Sequence, residues 1–570
     1  MKKNSLPLII IFLLSVIICI PFLKPGFYTV HDDQQIARLF LFNQSLFAGQ
    51  FPPRWVDSLG FGFGYPLFLF YPPFVYILGE VFHLFGFGFI TSIKLVFFSS
   101  ILFSGITMYL FAKEHFGKLA GLIGALFYIM VPYRALDVYV RGALAESFSF
   151  AWLPLILWSF YKLEKTKNIL YLFLSSTFLA LLMITHNLIF LPFTIILFIY
   201  LSFQIILSNN KIKSVLLYLA SIIFALSLSA FFWMPAILEK KHTIVDQILL
   251  TELANFKIHF VYPQQLWNWP WGFGGSAPGL ADGISFKIGK IHIISSVAVF
   301  LLSLAFLVNN KFKFKKSNFV IINTFILFLF SAFMTTNYSE FIWNLIPQLA
   351  YLQFPWRFLI FTSLFSSYLA AALIYQLKLP IIKLVVSLVL LSLVFVPNFK
   401  LFKPQFYRVD LTDQKATSDH EINWYVSSSS FEYIPKGVEL KKSKLRTSFP
   451  NITENELPKT KIESINNLAQ MNISDSSPGK LLFTVNTPQE TSLKVNIFNF
   501  PGWQAKVDNE KTQIHDDNKL KLITLNIPKG IHQISLEFEN TRIRTFANLI
   551  SILSLLILVA LFCKKWMKQY

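Results

Sequence analysis

The stretch "VHDDQQIARL", residues 30 to 39, sets His31, Asp32 and Asp33 side by side directly after a first apolar segment. Ionisable groups at a membrane edge are expensive to strand, so they are candidates for function. Two adjacent carboxylates there can accept the proton of a hydroxyl, or hold a divalent cation such as Mg or Mn through oxygen ligands. The same residues can also do something plainer, since Asp is a common cap for a following helix.

Three further groups carry the right chemistry. "YRALDVYVRGALAES" (133 to 147) holds Arg134, Asp137, Arg141 and Glu146. The forked donors of Arg suit a phosphate, and Arg–carboxylate pairs within the segment are the simpler use. "THN" (185 to 187) breaks an apolar hairpin with His186, a base, a ligand or a turn residue. "LQFPWRFL" (352 to 359) sets Trp356 beside Arg357 at the start of an apolar stretch. That pair reads either as an interfacial anchor with a snorkelling Arg or as a contact to the phosphate of a lipid carrier.

The elements that position these residues follow from composition. Of 570 residues 54% are apolar, 64 are Phe and only 14% are charged, which places the chain in a bilayer. Apolar stretches of spanning length begin near 6, 90, 119, 147, 169, 188, 214, 291, 319, 356, 380 and 543, giving about twelve spans. The first is expected to be retained as a helix, because no A-x-A-like cleavage site follows it. A net charge of +20 comes from short Lys clusters between apolar stretches rather than from a nucleic-acid-binding face. Lys2 and Lys3, "KEHFGK" (113 to 118), "KLEKTK" (162 to 167), "NNKIK" (209 to 213), "NNKFKFKK" (309 to 316) and the final "CKKWMKQY" all fall inside by the positive-inside rule if 66 to 86 does not cross. That proline-broken stretch is then a juxtamembrane or partly inserted helix within a first outer loop running from 24 to 88; the alternative, a thirteenth span, would flip every later loop and put the Lys clusters outside. On the same count Asp32, Asp33, Arg134, Arg141, Glu146, His186, Trp356 and Arg357 gather on the outer face, as a site facing one aqueous compartment requires.

From 399 to 541 charge and Ser/Asn/Thr content rise, and period-two runs such as "SLKVNIFNF" (492 to 500) and "IHQISLEFE" (531 to 539) predict strands. A small β-rich outer domain is expected there, closed by a last span and basic inner tail over 542 to 570. The membrane domain then covers 1 to 398. Its glycine-rich "FPPRWVDSLGFGFGYPLFLFYPP" (51 to 73) lacks the Lys-Ser/Thr pair of a phosphate loop and reads as a compact interfacial loop, with Arg54 toward the lipid phosphates. Cys19 and Cys563 lie at opposite faces and form no disulfide framework. No zinc spacing, Walker loop or Gly-x-Ser-x-Gly elbow is present.

Taken together, "VHDDQQIARL", the 51 to 73 loop, "VPYRALDVYVRGALAE", "THN", "QFPWRFL" and the "FPGW" of the outer domain resemble the bacterial membrane family labelled 6-pyruvoyl-tetrahydropterin synthase-related, within the GT-C glycosyltransferase superfamily. The label is not chemistry, because the histidine cluster that binds zinc in a pterin synthase is missing. The GT-C relation implies a polytopic α-helical enzyme of a bacterial cell membrane with both termini cytoplasmic. It takes a sugar from a polyprenyl-phosphate-linked donor and passes it to a glycan, lipid or protein acceptor outside. The resemblance gives the first outer loop an essential Asp, matched here by Asp32 with Asp33 as the alternative. Arg357, Arg141 and Arg134, in that order, are then candidates for the donor phosphate, supported by His31, Glu146, His186 and Trp356. The rival expectation is a non-catalytic flippase or accessory protein for lipid-linked glycans, which needs polar residues midway along spans and on both faces.

Overall fold

Serine, alanine and glycine decide which apolar helices lie inside the bundle. In the computed structural model, which describes residues 5–251, 254–309, 316–442, 448–465 and 469–566, the most enclosed span is Pro355–Gln376, 89% buried. Its run Ser366, Ser367, Ala370, Ala371 and Ala372 is entirely buried, and Gly124 of a neighbouring helix comes so near that an added methyl would sit 3.1 Å from Ala371 Cβ. Small side chains let backbones approach where no hydrophobic effect drives helices together. Helix Phe89–Phe116 packs on Leu144–Thr166 in the same way, joined by the hydroxyls of Ser100 and Ser147 at 2.9 Å. An interhelical bond of this kind contributes about 0.6 kcal/mol in a membrane setting. By contrast Pro380–Phe399, with Leu384, Leu388 and Val396 exposed, is only 11% buried and offers its apolar side to lipid.

Helices occupy all twelve apolar stretches, and among the described residues eight are long and apolar enough to cross a membrane. A ninth arises if Lys118–Ile129 and Pro132–Arg141, bent by 41°, form one broken span. Twelve is therefore more than length and composition support. Leu6–Ile18 and Ile169–Thr185 are short apolar helices of 13 and 17 residues, and Leu144–Thr166 carries Glu146, Pro154 and a charged end. The stretch 66 to 86 is broken by Pro72 and Pro73 into Leu67–Phe70 and Phe74–Leu84, the longer only 11 residues. The chain is thus a mostly helical, multi-pass membrane protein with a β-rich C-terminal region. Lys2, Lys3 and most of the basic "NNKFKFKK" and "CKKWMKQY" clusters lie outside the described residues.

Two antiparallel sheets occupy 462 to 538. One runs Glu510–Thr512, Trp503–Val507, Gly530–Phe538, Lys480–Thr487, Gln470–Ser477 in spatial order, and the other Leu522–Ile527, Thr491–Phe498, Ile462–Ser464. Alternation buries Leu481, Phe483 and Val485 on one sheet and Leu493 and Val495 on the other, as expected for sheets wetted on one face. The preceding residues, from 399 onward, contain short helical turns and two-residue strands that strap the first outer loop. Tyr407–Arg408 pairs with Phe27–Tyr28, and the Asp413 carboxylate accepts the N–H groups of Phe89 and Ile90 at 2.8 and 2.9 Å, capping a membrane helix.

The loop 51 to 66 ties the β-rich region to the bundle. Gly64 takes a left-handed backbone (φ 82°) with the Trp55 ring 2.6 Å from where a Cβ would lie, so only glycine fits. Trp55 is thereby held against Trp503 and Phe538, with ring centroids 5.2 and 5.0 Å away. Arg54 does not reach toward lipid phosphates. It is buried and donates to Asn548 Oδ1 at 2.8 Å, beside the buried Arg544–Glu239 pair (2.9 Å) that ties the last span to the end of helix Ala230–Glu239.

Candidate active site

A break in one helix creates the site. Pro132 lacks the N–H that would continue Lys118–Ile129 and opens the bend. The following helix then widens into a π turn over Asp137–Arg141 and stops at Gly142, which is left-handed (φ 68°). A Cβ on Gly142 would stand 2.7 Å from Val30 Cγ2. The missing side chain is what lets the loop carrying His31 and Asp32 lie on this turn.

The docking is made by main chain. His31 N–H donates to the carbonyl of Val140 (3.1 Å) and Asp32 N–H to that of Arg141 (2.7 Å). Gln35 adds a bond from Nε2 to the Gly142 carbonyl at 3.4 Å and is itself held by the Tyr76 hydroxyl. His31 Nε2 lies 3.1 Å from the Phe273 carbonyl, which can only accept, so Nε2 is the donor in this contact.

Beneath this loop Glu146 organises the charge. Its Oε1 accepts from the Tyr133 hydroxyl (2.5 Å). Its Oε2 accepts from Arg141 Nη1 (2.8 Å) and faces Arg357 Nε at 3.5 Å. Arg141 Nη1 also pairs with Asp137 at 2.6 Å, and Arg357 Nη1 donates to the Leu352 carbonyl at 2.6 Å. Among the described residues, Nη2 of both guanidiniums has no hydrogen-bond partner. Trp356 lies under Arg141, its ring centroid 4.4 Å from the guanidinium carbon, and is stacked between Phe354 and Phe286. The Asp32 carboxylate is within electrostatic reach of both Arg141 and Arg357.

The remaining candidates separate from this centre. Asp33 lies on the loop surface and turns to Glu421 and Arg408. Crowding by the surrounding chain, then the Glu421 carboxylate, raises its carboxyl above the ordinary range, with Arg408 pulling the other way. Neither Asp caps the next helix, because Gln35–Phe47 has no side-chain cap. Arg134 is fully buried on the far side of its helix. It donates to the Ser147 carbonyl at 2.7 Å, with Phe150 3.8 Å below the guanidinium, and its Nε and Nη2 have no partner among the described residues. His186 is the cap of Asn187–Ile206, its Nδ1 accepting the N–H of Ile189 at 3.2 Å. Burial first, then the nearby Arg357 guanidinium, holds its pKa down. The neutral ring therefore carries its proton on Nε2 and is a donor rather than a base.

A divalent cation would have to be held by Asp32 and Asp33 with at least one more donor. Among the described residues no three His, Cys, Asp or Glu side chains gather into such a group, and the two aspartates face different neighbours. The residues present do not fit the ion. Sequence reading passed over Tyr133, the shortest contact to Glu146, and the Phe273 carbonyl. The first was visible within "VPYR", whereas the second comes from a distant loop with no local signal.

No family model and no curated protein matches the chain. Solved structures with a related backbone include the arabinofuranosyltransferase AftD from Mycobacteria, at 13% identity and TM-score 0.46 over 71% of this chain and 27% of that one. Two structures of the Archaeoglobus fulgidus oligosaccharyltransferase are also similar. The complex with Zn and sulfate gives 11% identity and TM-score 0.39 over 72% of this chain and 53% of that one. The form tethered to an acceptor peptide containing the NVT sequon gives 12% identity and 0.41 over 73% and 55%. The chain spans about a quarter of the first protein and just over half of the second.

Proposed function

We propose that this protein is a GT-C-like glycosyltransferase of a bacterial cytoplasmic membrane. It transfers a sugar from a polyprenyl-phosphate-linked donor to a glycan, lipid or protein acceptor on the outer side. The observation that carries the reading is the joining of Asp32, Arg141, Glu146 and Arg357, from three separate stretches of sequence, around one docked loop. In this reading an acceptor hydroxyl attacks the anomeric carbon while the bond from that carbon to the phosphate oxygen breaks. The electron pair leaves on the phosphate. The hydroxyl proton passes to the Asp32 carboxylate, acting as general base.

The leaving phosphate gains charge as the bond breaks, and fixed guanidinium donors stabilise it most at that moment. Arg357 and Arg141 are ranked first because Glu146 aligns them while the Nη2 group of each has no other partner among the described residues. Arg134, walled off by Phe150, serves the helix bend instead. The polyprenyl chain would lie along Phe74–Leu84, whose Ile77, Val81 and Leu84 are exposed on one side.

The test is transfer in proteoliposomes supplied with radiolabelled polyprenyl-phosphate sugars and a membrane extract as acceptor source. Wild type is compared with Asp32→Asn and Arg357→Gln. Label moving into a new product with wild type alone supports the enzyme. Label that crosses the bilayer unchanged, equally with all three proteins, would instead make the chain a flippase.

A further inference from the structure

Away from this site, a cleft of about 520 Å³ opens between the β-rich region and the chain that leaves helix Ala230–Glu239. It is a formed feature rather than a gap between loose parts. Lys436 N–H donates to the His242 carbonyl at 2.8 Å, closing one wall. Asn499 N–H donates to the carbonyl of Lys521, a residue held left-handed at φ 57°. The floor is the "FPGW" turn, where the Pro501 carbonyl accepts from Arg544 Nη2 at 2.6 Å.

The lining is cationic. Lys241, Lys436 and Lys521 line it, with one carboxylate among them, Asp516, 3.8 Å from Lys521 Nζ and accepting from Asn499 Nδ2 at 3.0 Å. Among the described residues Lys241 and Lys436 are paired with none. Asn499 and Gln504 add amide groups. Trp503 borders the same cleft, with its indole packed away from it against Trp55 and Phe538, ring centroids 5.2 and 5.5 Å away.

We infer that this cleft binds an acidic saccharide, one bearing carboxylate or phosphate groups along a short run of sugar rings. Lysines answer the charge, and the Asn499 Oδ1 and the Gln504 amide answer the hydroxyls. The volume suits an oligosaccharide better than a lone anion. The inference rests on the glycosyltransferase reading in taking this saccharide as the acceptor or product, while the binding itself needs no turnover.

Binding is measured on the full chain in detergent with trigalacturonate, a glycerol-phosphate trimer and neutral maltotriose, and by quenching of Trp fluorescence with Trp503→Phe as control. At least one acidic probe should bind and maltotriose should not. Rising salt should weaken that binding. The double variant Lys241→Gln/Lys436→Gln, at exposed positions with an unchanged unfolding midpoint, should lose about tenfold in affinity. Binding by neither acidic probe, equal binding of maltotriose, or indifference to the double substitution overturns the inference. The same measurement in nanodiscs with anionic or zwitterionic lipid separates the sources of anion. If anionic headgroups displace the acidic probe through the same lysines, the cleft belongs to lipid and the saccharide assignment falls. Asp32→Asn should bind as wild type does, so a failure of transfer and a failure of this cleft are read independently.

Discussion

The main-chain N–H of Asp32 donates to the carbonyl of Arg141 at 2.7 Å, which joins the first outer loop to the end of a broken helix more than a hundred residues later in the chain. This bond holds the loop so that the Asp32 carboxylate comes within electrostatic reach of Arg141 and Arg357. The two aspartates of "HDD" are thereby given different neighbours.

Asp32→Asn should lower transfer by about 10² to 10⁴-fold, the usual contribution of a positioned base. Asp33→Asn, facing Glu421 and Arg408, should leave most of it. Initial rates in the proteoliposome assay check this, and an equal loss for both variants would return the base assignment to the pair.

Gly142→Ala meets two obstacles, a left-handed backbone that costs about 1–2 kcal/mol for other residues and the side chain of Val30 at 2.7 Å. The loop carrying His31 and Asp32 must lift. Transfer should fall by far more than the loss of stability accounts for, a split read by comparing rate with the unfolding midpoint in detergent.

Removing Glu146 leaves Arg141 and Arg357 buried without their shared anion. Glu146→Ala should destabilise by about 3–5 kcal/mol, as when one member of a buried ion pair is deleted. Tyr133→Phe strips a single hydrogen bond from the same carboxylate and should cost about 1–3 kcal/mol. Denaturant unfolding of the purified variants gives both values, and their order is the check.

In the β-rich region His532 Nδ1 lies 2.6 Å from Asp508 Oδ2. That hydrogen bond raises the His532 pKa above its ordinary 6.5 and lowers that of Asp508 below 3.8. The histidine's contribution to stability is complete below pH 6.5 and is lost as pH rises through its raised value. The carboxylate's is present above 3.8 and is lost as pH falls through its lowered value. The midpoint difference between wild type and His532→Gln should therefore be largest between those limits and shrink toward alkaline pH. Both partners are near the surface, so the difference is small and is followed by thermal scans at stepped pH.

Much of the architecture was legible along the chain. Apolar runs reported where helices form, because burial in lipid or protein demands apolar side chains over a fixed length. The alternation in "IHQISLEFE" likewise reported strand Gly530–Phe538. That Asp32, Arg141, Glu146 and Arg357 fall near the ends of apolar stretches was also legible, since charge is tolerated mainly there. What the sequence by itself determined is thus what depends on local composition and period. Tertiary structure alone decided that Asp32 rather than Asp33 comes within electrostatic reach of Arg141 and Arg357, that Arg134 packs on Phe150, and that Arg54 meets Asn548 instead of lipid. It also decided that His186 spends its Nδ1 on a helix end. Each of these is a side-chain direction, set by a partner tens or hundreds of residues away, and hydropathy and spacing do not encode that partner.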